Sequence, residues 1–304
     1  INAMETRPSF DGTTITLDAG TSKTLTDTRG VLKDYNSIDK TVDGIRIQHV
    51  KGENTMTISV DSSCTKEAYR ISDSTMQSWG VIKDGTQDYD TTFYYDFPSG
   101  VQDQIYSLHY NDPVPMSLDL KINIYGKLEI GKKDDKGNYV PNTSFKLSYN
   151  SDMSNPIGTY TTGSTGKVLV EQLKPGIVYV QEVSVPNHLI LDSTIESVTI
   201  KTAETVAFTD VNDWKQGYIK VVKKDAETGK VVKKSGTVFD IYNSNNTKIT
   251  SITTNENGVA VSGLLDYGTY YVKEYTAPDK YTRKVEVSNN IGVVEDGKTY
   301  EISI

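Results

Sequence analysis

Alternation of apolar and polar positions runs through the chain, and its clearest instance occurs twice. In Gly126-Lys127-Leu128-Glu129-Ile130-Gly131-Lys132-Lys133-Asp134, alternation puts Leu128, Ile130 and Lys132 on one face of a strand. Ninety-one residues later, Gly217-Tyr218-Ile219-Lys220-Val221-Val222-Lys223-Lys224-Asp225 does the same with Ile219, Val221 and Lys223. Each strand therefore carries a lysine on its apolar side. A lone lysine there is ordinarily a strand end whose ammonium reaches water, so the position gains weight only from what repeats around it.

The surroundings do repeat. Tyr179, Glu182 and Pro186 follow Lys132 as Tyr271, Glu274 and Pro278 follow Lys223, with 50 and 51 residues from lysine to glutamate. Between them each copy has a turn followed by a strand, Thr162-Gly163-Ser164-Thr165-Gly166-Lys167-Val168 and Thr254-Asn255-Glu256-Asn257-Gly258-Val259-Ala260. Leu173-Lys174-Pro175-Gly176 and Leu265-Asp266-Tyr267-Gly268 then close a second turn. A period of this length, rich in Val, Ile, Thr and Tyr, predicts a small all-β domain present twice.

The first 125 residues form a different unit. Gly12 to Leu17, Gly44 to Gln48, Asn54 to Val60, Tyr89 to Phe97 and Leu118 to Ile124 read as strands between polar turns, with Ser63 to Ser72 as the best place for a short helix or crossover. The predicted organisation is three β-sandwiches, residues 1–125, 126–215 and 216–304, in an elongated rod. No Pro/Ser linker interrupts the chain at Gly126 or at Asp213-Trp214-Lys215-Gln216-Gly217, so both junctions are expected to be stiff. Trp214 either packs between domains or sits at the edge of one.

Composition narrows the function. Of the 304 residues 20 are Tyr, against 6 Phe and 2 Trp, and the net charge is -8 with no lysine or arginine cluster, which argues against a nucleic-acid partner. The single cysteine, Cys64, excludes an intrachain disulfide and a cysteine metal cluster. It reads as a structural thiol, with a reactive thiol or a thioester to Gln77 as the alternative. No signal peptide, membrane span or sorting signal is visible. Ile1-Asn2-Ala3-Met4 reads as a vector remnant and the last residues as a strand, so the chain is expected to be a fragment of a longer protein.

From Gly126 onward the chain resembles two tandem collagen-adhesin B-type domains, the prealbumin-like SpaA pilin type of Gram-positive surface proteins. The resemblance rests on the glycine-led strand ending in lysine and aspartate, on Asp225-Ala226-Glu227-Thr228-Gly229-Lys230, on Phe145 and Phe239, on the Gly-rich turn, and on the Tyr, Glu, Pro element. It implies two-sheet sandwiches in which a lysine bonds spontaneously to an asparagine or aspartate with help from a glutamate. Residues 10–125 resemble the Ig-like β-sandwich that follows a thioester domain in wall-anchored proteins, through Leu25 to Leu32, Gln102 to Ile105 and Asp112-Pro113-Val114. The resemblance further implies an extracellular, cell-wall-anchored location, with neighbouring domains of the same protein as partners.

The chemistry explains why these residue types are needed. An amine attacks only when neutral, and a carboxyl is a useful electrophile only when protonated; burial favours both uncharged forms. A glutamate in the same apolar core can move the proton between them. Lys132 faces Glu182, and Lys223 faces Glu274. The resemblance implies Asp210 as the carbonyl partner on the last strand, where Val206, Phe208 and Asp210 alternate inward. A buried salt bridge among Lys132, Glu182 and Asp210 is the alternative. The last strand of the second repeat, Lys298 to Ile304, has no asparagine or aspartate, and Asn289 and Asn290 belong to the strand or turn before it, so Lys223 and Glu274 are expected to stay unreacted.

The function expected is a structural stalk module with self-crosslinking as its only chemistry, needing no cofactor and no metal. The alternative is an N-terminal domain that itself binds a host matrix protein or a glycan, through a groove lined by Tyr89, Tyr94, Tyr95, Tyr106 and Tyr110. A turnover enzyme fits least: His49, His109 and His188 are scattered, no nucleophile motif appears, and Asp84 to Asp90 reads as a polar loop and not a calcium site.

Overall fold

The structure, a computed structural model, describes residues 8–10, 13–80, 89–94, 105–110, 117–284 and 286–304. These divide into two compact units: one holds the chain up to Leu128 with 171–176 and 199–206, the other holds 129–170, 177–198 and 207–304. Both are built of strands.

The N-terminal strands are β1 (Thr13–Asp18), β2 (Ser22–Thr26), β3 (Ile38–Val42), β4 (Ile45–His49), β5 (Thr55–Val60), β6 (Ala68–Ser72), β7 (Tyr89–Tyr94), β8 (Ile105–Tyr110) and β9 (Ser117–Asn123). They form sheets in the orders β1-β9-β6 and β2-β5-β4-β3, with β7 and β8 as a hairpin. Alternate residues of β1, β4 and β9, among them Ile15, Leu17, Ile45, Ile47, Leu118 and Leu120, fill one core, as period-2 patterning requires of sheets with one buried face. Asp27 anchors the turn after β2. Its buried carboxylate accepts backbone N–H groups of Ser9, Arg29, Val31 and Leu32. Burial pushes this carboxyl up, but the four donors outweigh it and hold it below the ordinary value.

Ser63 to Ser72 is the crossover and not the helix, since it leads from the sheet of β5 to the sheet of β6. Its second half is β6, in which Ile71 is buried and faces Leu118 of β9 across the sheet, and a short helix, α1 (Asp73–Ser78), follows it. The distant partner strand decides this segment, and the Ser72 hydroxyl then accepts the Thr75 N–H at 3.3 Å where the helix starts. Strands β2 and β3 lie at the edges of their sheet and are mostly exposed, which is why their alternation is too weak to read. Cys64 is buried beyond the end of β5, its Sγ 3.8 Å from the Lys66 carbonyl. Residues 1–7, 11–12, 81–88, 95–104, 111–116 and 285 lie outside the described residues. With them go the vector remnant, most of the acidic loop, Tyr95 of the tyrosine groove, most of the Gln102 motif and all of the Asp112 motif. Tyr89 and Tyr110 are register partners on the β7–β8 hairpin.

The first repeat comprises β10 (Gly126–Asp134), β11 (Ser144–Ser148), β12 (Gly158–Thr161), β13 (Lys167–Leu173), β14 (Gly176–Ser184), β15 (Ile195–Ile200) and β16 (Thr205–Asn212). One sheet runs β13-β10-β16 and the other β12-β11-β14-β15. The second repeat comprises β17 (Gln216–Val222), β18 (Val238–Asn243), β19 (Lys248–Thr253), β20 (Val259–Val261), β21 (Leu265–Asp266), β22 (Gly268–Thr276), β23 (Ile291–Val293) and β24 (Thr299–Ser303). Here β17 pairs with β20, β21 and β24, and the second sheet runs β19-β18-β22-β23. The arrangement is all-β, a tandem of prealbumin-like or Ig-like sandwiches, and in each repeat the first strand lies beside the last.

The repeated residues have repeated jobs. A Cβ on Gly126 would lie 2.2 Å from the Lys201 carbonyl oxygen, and one on Gly217 would lie 2.7 Å from that of Lys298; only glycine lets the approach to the last strand cross the start of the first so closely. Asp134 closes the turn after β10 by accepting the N–H groups of Lys136 and Asn138, as Asp225 accepts those of Glu227 and Thr228. Phe145 and Phe239, both buried, are the register partners of Glu182 and Glu274. An aromatic ring therefore sits beside each glutamate.

Candidate functional site

The inward faces of β10, β14 and β16 bring three sequence-predicted residues together. Lys132 is wholly buried, with 0% of its side chain exposed; its Nζ lies 2.5 Å from Asp210 Oδ2 and 2.9 Å from Glu182 Oε1. Two backbone hydrogen bonds set this register. Lys127 N donates to Glu204 O at 2.9 Å and Asp135 N to Asn212 O at 3.0 Å. Both partners advance by eight residues, so β10 and β16 run parallel and Lys132 stands directly beside Asp210.

Two groups that sequence reasoning misses complete the site. Glu182 Oε2 accepts the Asn212 Nδ2 donor at 2.5 Å and the Asp192 N–H at 3.1 Å. Asn212 is the next inward residue of β16 after Asp210, so the alternation of Val206, Phe208 and Asp210, extended by two, finds it. Glu182 Oε1 has no well-aligned hydrogen-bond donor of its own although the ammonium is at ion-pair distance. Burial pushes the Glu182 carboxyl above its ordinary value, against the opposing pull of Lys132, Asn212 and the Asp192 N–H. A cleft lined by Glu182, Asp192, Thr194, Glu196 and Asp210 opens beside the group, with room for about one water molecule at ≈ 10 Å³.

The second repeat builds two thirds of the same arrangement. Lys223 Nζ lies 3.0 Å from Glu274 Oε2, both side chains being buried or nearly so. Tyr218 N donates to Lys298 O and Lys224 N to Ile304 O, so the register that sets Asp210 beside Lys132 sets Ile304 beside Lys223. Ile304 is buried in the second core. An apolar side chain thus occupies the place of the carboxyl, while Asn289 and Asn290 are exposed ahead of β23.

Two of the histidines, His49 and His188, are apart from this chemistry. His49 is buried in the N-terminal core with its ring nitrogens against the Thr55 and Tyr35 carbonyls. His188 packs on Trp214, ring centroids 4.4 Å apart. Trp214 itself donates Nε1–H to Asp134 Oδ2 at 3.0 Å and carries the Lys136 ammonium 3.8 Å above its ring, while that ammonium pairs with Asp266. The tryptophan therefore seals the end of the first repeat and bridges to the second through Lys136. No helix among the described residues is long and apolar enough to cross a membrane.

Paired sandwiches, each with a buried lysine and glutamate between its sheets and its terminal strands side by side, define a prealbumin-like module. The chain belongs to the SpaA family, a prealbumin-like fold domain, which matches residues 126–214 and again 217–304. Among solved structures, the Bacillus anthracis TIE protein aligns over 89% of this chain and 51% of its own at 21% identity, with a TM-score of 0.61. The chain thus spans about half the length of that relative. The shaft pilin SpaA from Lactobacillus rhamnosus GG aligns over 59% of this chain and 96% of its own at 16% identity, TM-score 0.28. A streptococcal ancillary pilin aligns over 85% and 80%, at 18% identity and TM-score 0.29. No curated protein sequence matches the chain.

Proposed function

We propose that the chain is a run of load-bearing modules from a cell-wall-anchored adhesin or pilus-like protein, in which Lys132 and Asp210 join as an isopeptide bond. The observation that carries this reading is the wholly buried ammonium held 2.5 Å from a carboxylate on the neighbouring terminal strand. In this reading Glu182 Oε1 takes a proton from the Lys132 ammonium and passes it to Asp210. The neutral amine attacks Asp210 Cγ, the N–Cγ bond forms and a Cγ–Oδ bond breaks. The proton already delivered to Asp210 and one of the two protons on the attacking amine leave with that oxygen as water, and the amide nitrogen keeps the other. Nothing is oxidised, and Glu182 ends as it began. Contact geometry replaces the entropy a bimolecular amide synthesis would lose, and the cleft beside Asp192 offers the water an exit. The reaction happens once per chain, so the module is a structure and not a turnover enzyme.

The modules proposed are 1–125, 126–215 and 216–304, the first being the Ig-like sandwich that follows a thioester domain, in a protein displayed outside the cell. Partners in this reading are neighbouring domains of the same protein. The second reading is a host matrix protein or glycan held by the β7–β8 tyrosines, of which Tyr89 and Tyr110 are register partners. Single-molecule pulling tests the load-bearing role. Force entering at Gly126 and leaving after β16 meets the bond first, so the 78-residue separation of Lys132 and Asp210 is withheld from extension. That segment is worth about 270 Å of contour length. The first repeat should contribute almost none of it while the second unravels fully. A full-length unfolding step from both repeats would refute the proposal.

A further inference from the structure

We infer that Asn212 is the positioning residue of the crosslinking site: its amide holds Glu182 in the one orientation that presents Oε1 to Lys132. The inference rests on the proposed Lys132–Asp210 bond and adds a residue to it. Both Asn212 amide protons are used, one on Glu182 Oε2 at 2.5 Å and one on the Ile190 carbonyl at 2.7 Å. Both neighbours are acceptors only, which fixes the nitrogen toward them. The Asn212 Oδ1 that results is buried with no hydrogen-bond partner, and a buried acceptor without a donor carries a desolvation cost. The fold tolerates that orphan, and the arrangement sets the carboxylate. With Oε2 tied to Asn212 and to the Asp192 N–H, Oε1 is the oxygen left to receive a proton, and it is the one 2.9 Å from the ammonium.

The same contact does electrostatic work. Burial favours the protonated Glu182, which cannot accept the lysine's proton; the Asn212 donor favours the carboxylate and opposes that shift. In the second repeat Glu274 Oε1 is likewise buried without a hydrogen-bond partner, and among the described residues no asparagine amide is recorded on Glu274 Oε2, where the recorded contact is Lys223. The asparagine thus goes with the repeat that has the electrophile.

The test follows bond formation as the full chain, collected unfolded in denaturant, is diluted into buffers from acid to alkaline pH. The readout is the fraction of chains one water lighter. In wild type the rate should rise with pH as Glu182 deprotonates. Asn212→Ala should move the midpoint of that rise upward by about one pH unit, and Asn212→Asp, which sets a second carboxylate against Oε2, should move it further. Asn212→Ser, a smaller change, serves if either fails to fold, and melting of each variant in a Lys132→Ala background reports the purely structural cost. Slower reaction with an unmoved midpoint in all variants that fold overturns the positioning role and leaves the bond intact. If wild type loses no water at any pH, the bond itself is wrong and the inference falls with it.

Discussion

Replacing Asp210 by alanine removes the electrophile yet leaves Lys132 beside Glu182 at 2.9 Å, so the crosslink is lost without stranding a buried ammonium. The crosslink spans 78 residues of sequence. Loop-closure entropy for a constraint of that length comes to about 15 cal/mol/K, or about 4.5 kcal/mol at room temperature, acting through the unfolded chain. The first repeat, residues 126–214, should gain about 190 cal/mol/K of entropy on unfolding at its midpoint, from roughly 2.1 per residue. The ratio predicts a fall in melting temperature of about 25 °C. Were the three groups only ionic, the same substitution would remove one of two carboxylates around a lysine that stays paired. That loss is on the order of 1 kcal/mol, or about 5 °C. Calorimetry supplies the transition, and hydrogen exchange of β10 and β16 peptides assigns it to this repeat. A first-repeat transition that moves by less than about 8 °C refutes the argument.

Bond formation removes the Lys132 charge that pulls the Glu182 carboxyl down and leaves the burial that pushes it up, so carboxyl carbon NMR should show Glu182 titrating above the ordinary 4.5. A folded pKa raised in this way means its contribution is full below 4.5 and fades as pH rises through the folded value; titration at or below 4.5 contradicts the assignment. In the second repeat Lys223 should be found as a free amine by acetylation in denaturant, and a crosslinked peptide containing it would sink that expectation. Glu274→Ala, which strands the Lys223 ammonium, should cost about 3 kcal/mol in denaturant unfolding, most of it recovered by adding Lys223→Met; an unchanged midpoint in the single variant speaks against a buried pair. Asp27→Asn should cost about 1–3 kcal/mol in the N-terminal unit. Because the Asp27 carboxyl is depressed, its contribution is present above 3.8 and lost as pH falls through the folded value, so the variant should show a flatter acid dependence, and an acid transition as steep as wild type argues against it.

What was legible in the sequence was legible through alternation and repetition, with the family resemblance implying Asp210 as the carbonyl partner. Lys132, Glu182 and Asp210 each fall on an inward parity, and repetition raised the lysines above the ordinary strand-end reading. Phe145 and Phe239 could be picked out as matched positions, but their placement opposite Glu182 and Glu274 depends on pairing between strands far apart in the chain. Asn212 was hidden for the same reason: its inward parity is plain, whereas the Glu182 oxygen that gives it a role arrives from 30 residues away. Segment 63–72 held as a crossover, passing from the sheet of β5 to that of β6, and not as a helix, because its pairing with β9 overrides mixed local signals. The register of β24 is equally a matter of pairing, and it sets the buried side chain of Ile304 beside Lys223.

The intact mass of the folded, purified chain is the most direct test of the central claim. The account predicts a chain one water lighter than its sequence, and on digestion a branched peptide joining Lys132 to Asp210. Lys132→Ala and Asp210→Ala should each restore the full mass, and Glu182→Ala should leave the two reactants in place but unjoined. A wild-type chain that keeps its full mass after complete folding contradicts the account.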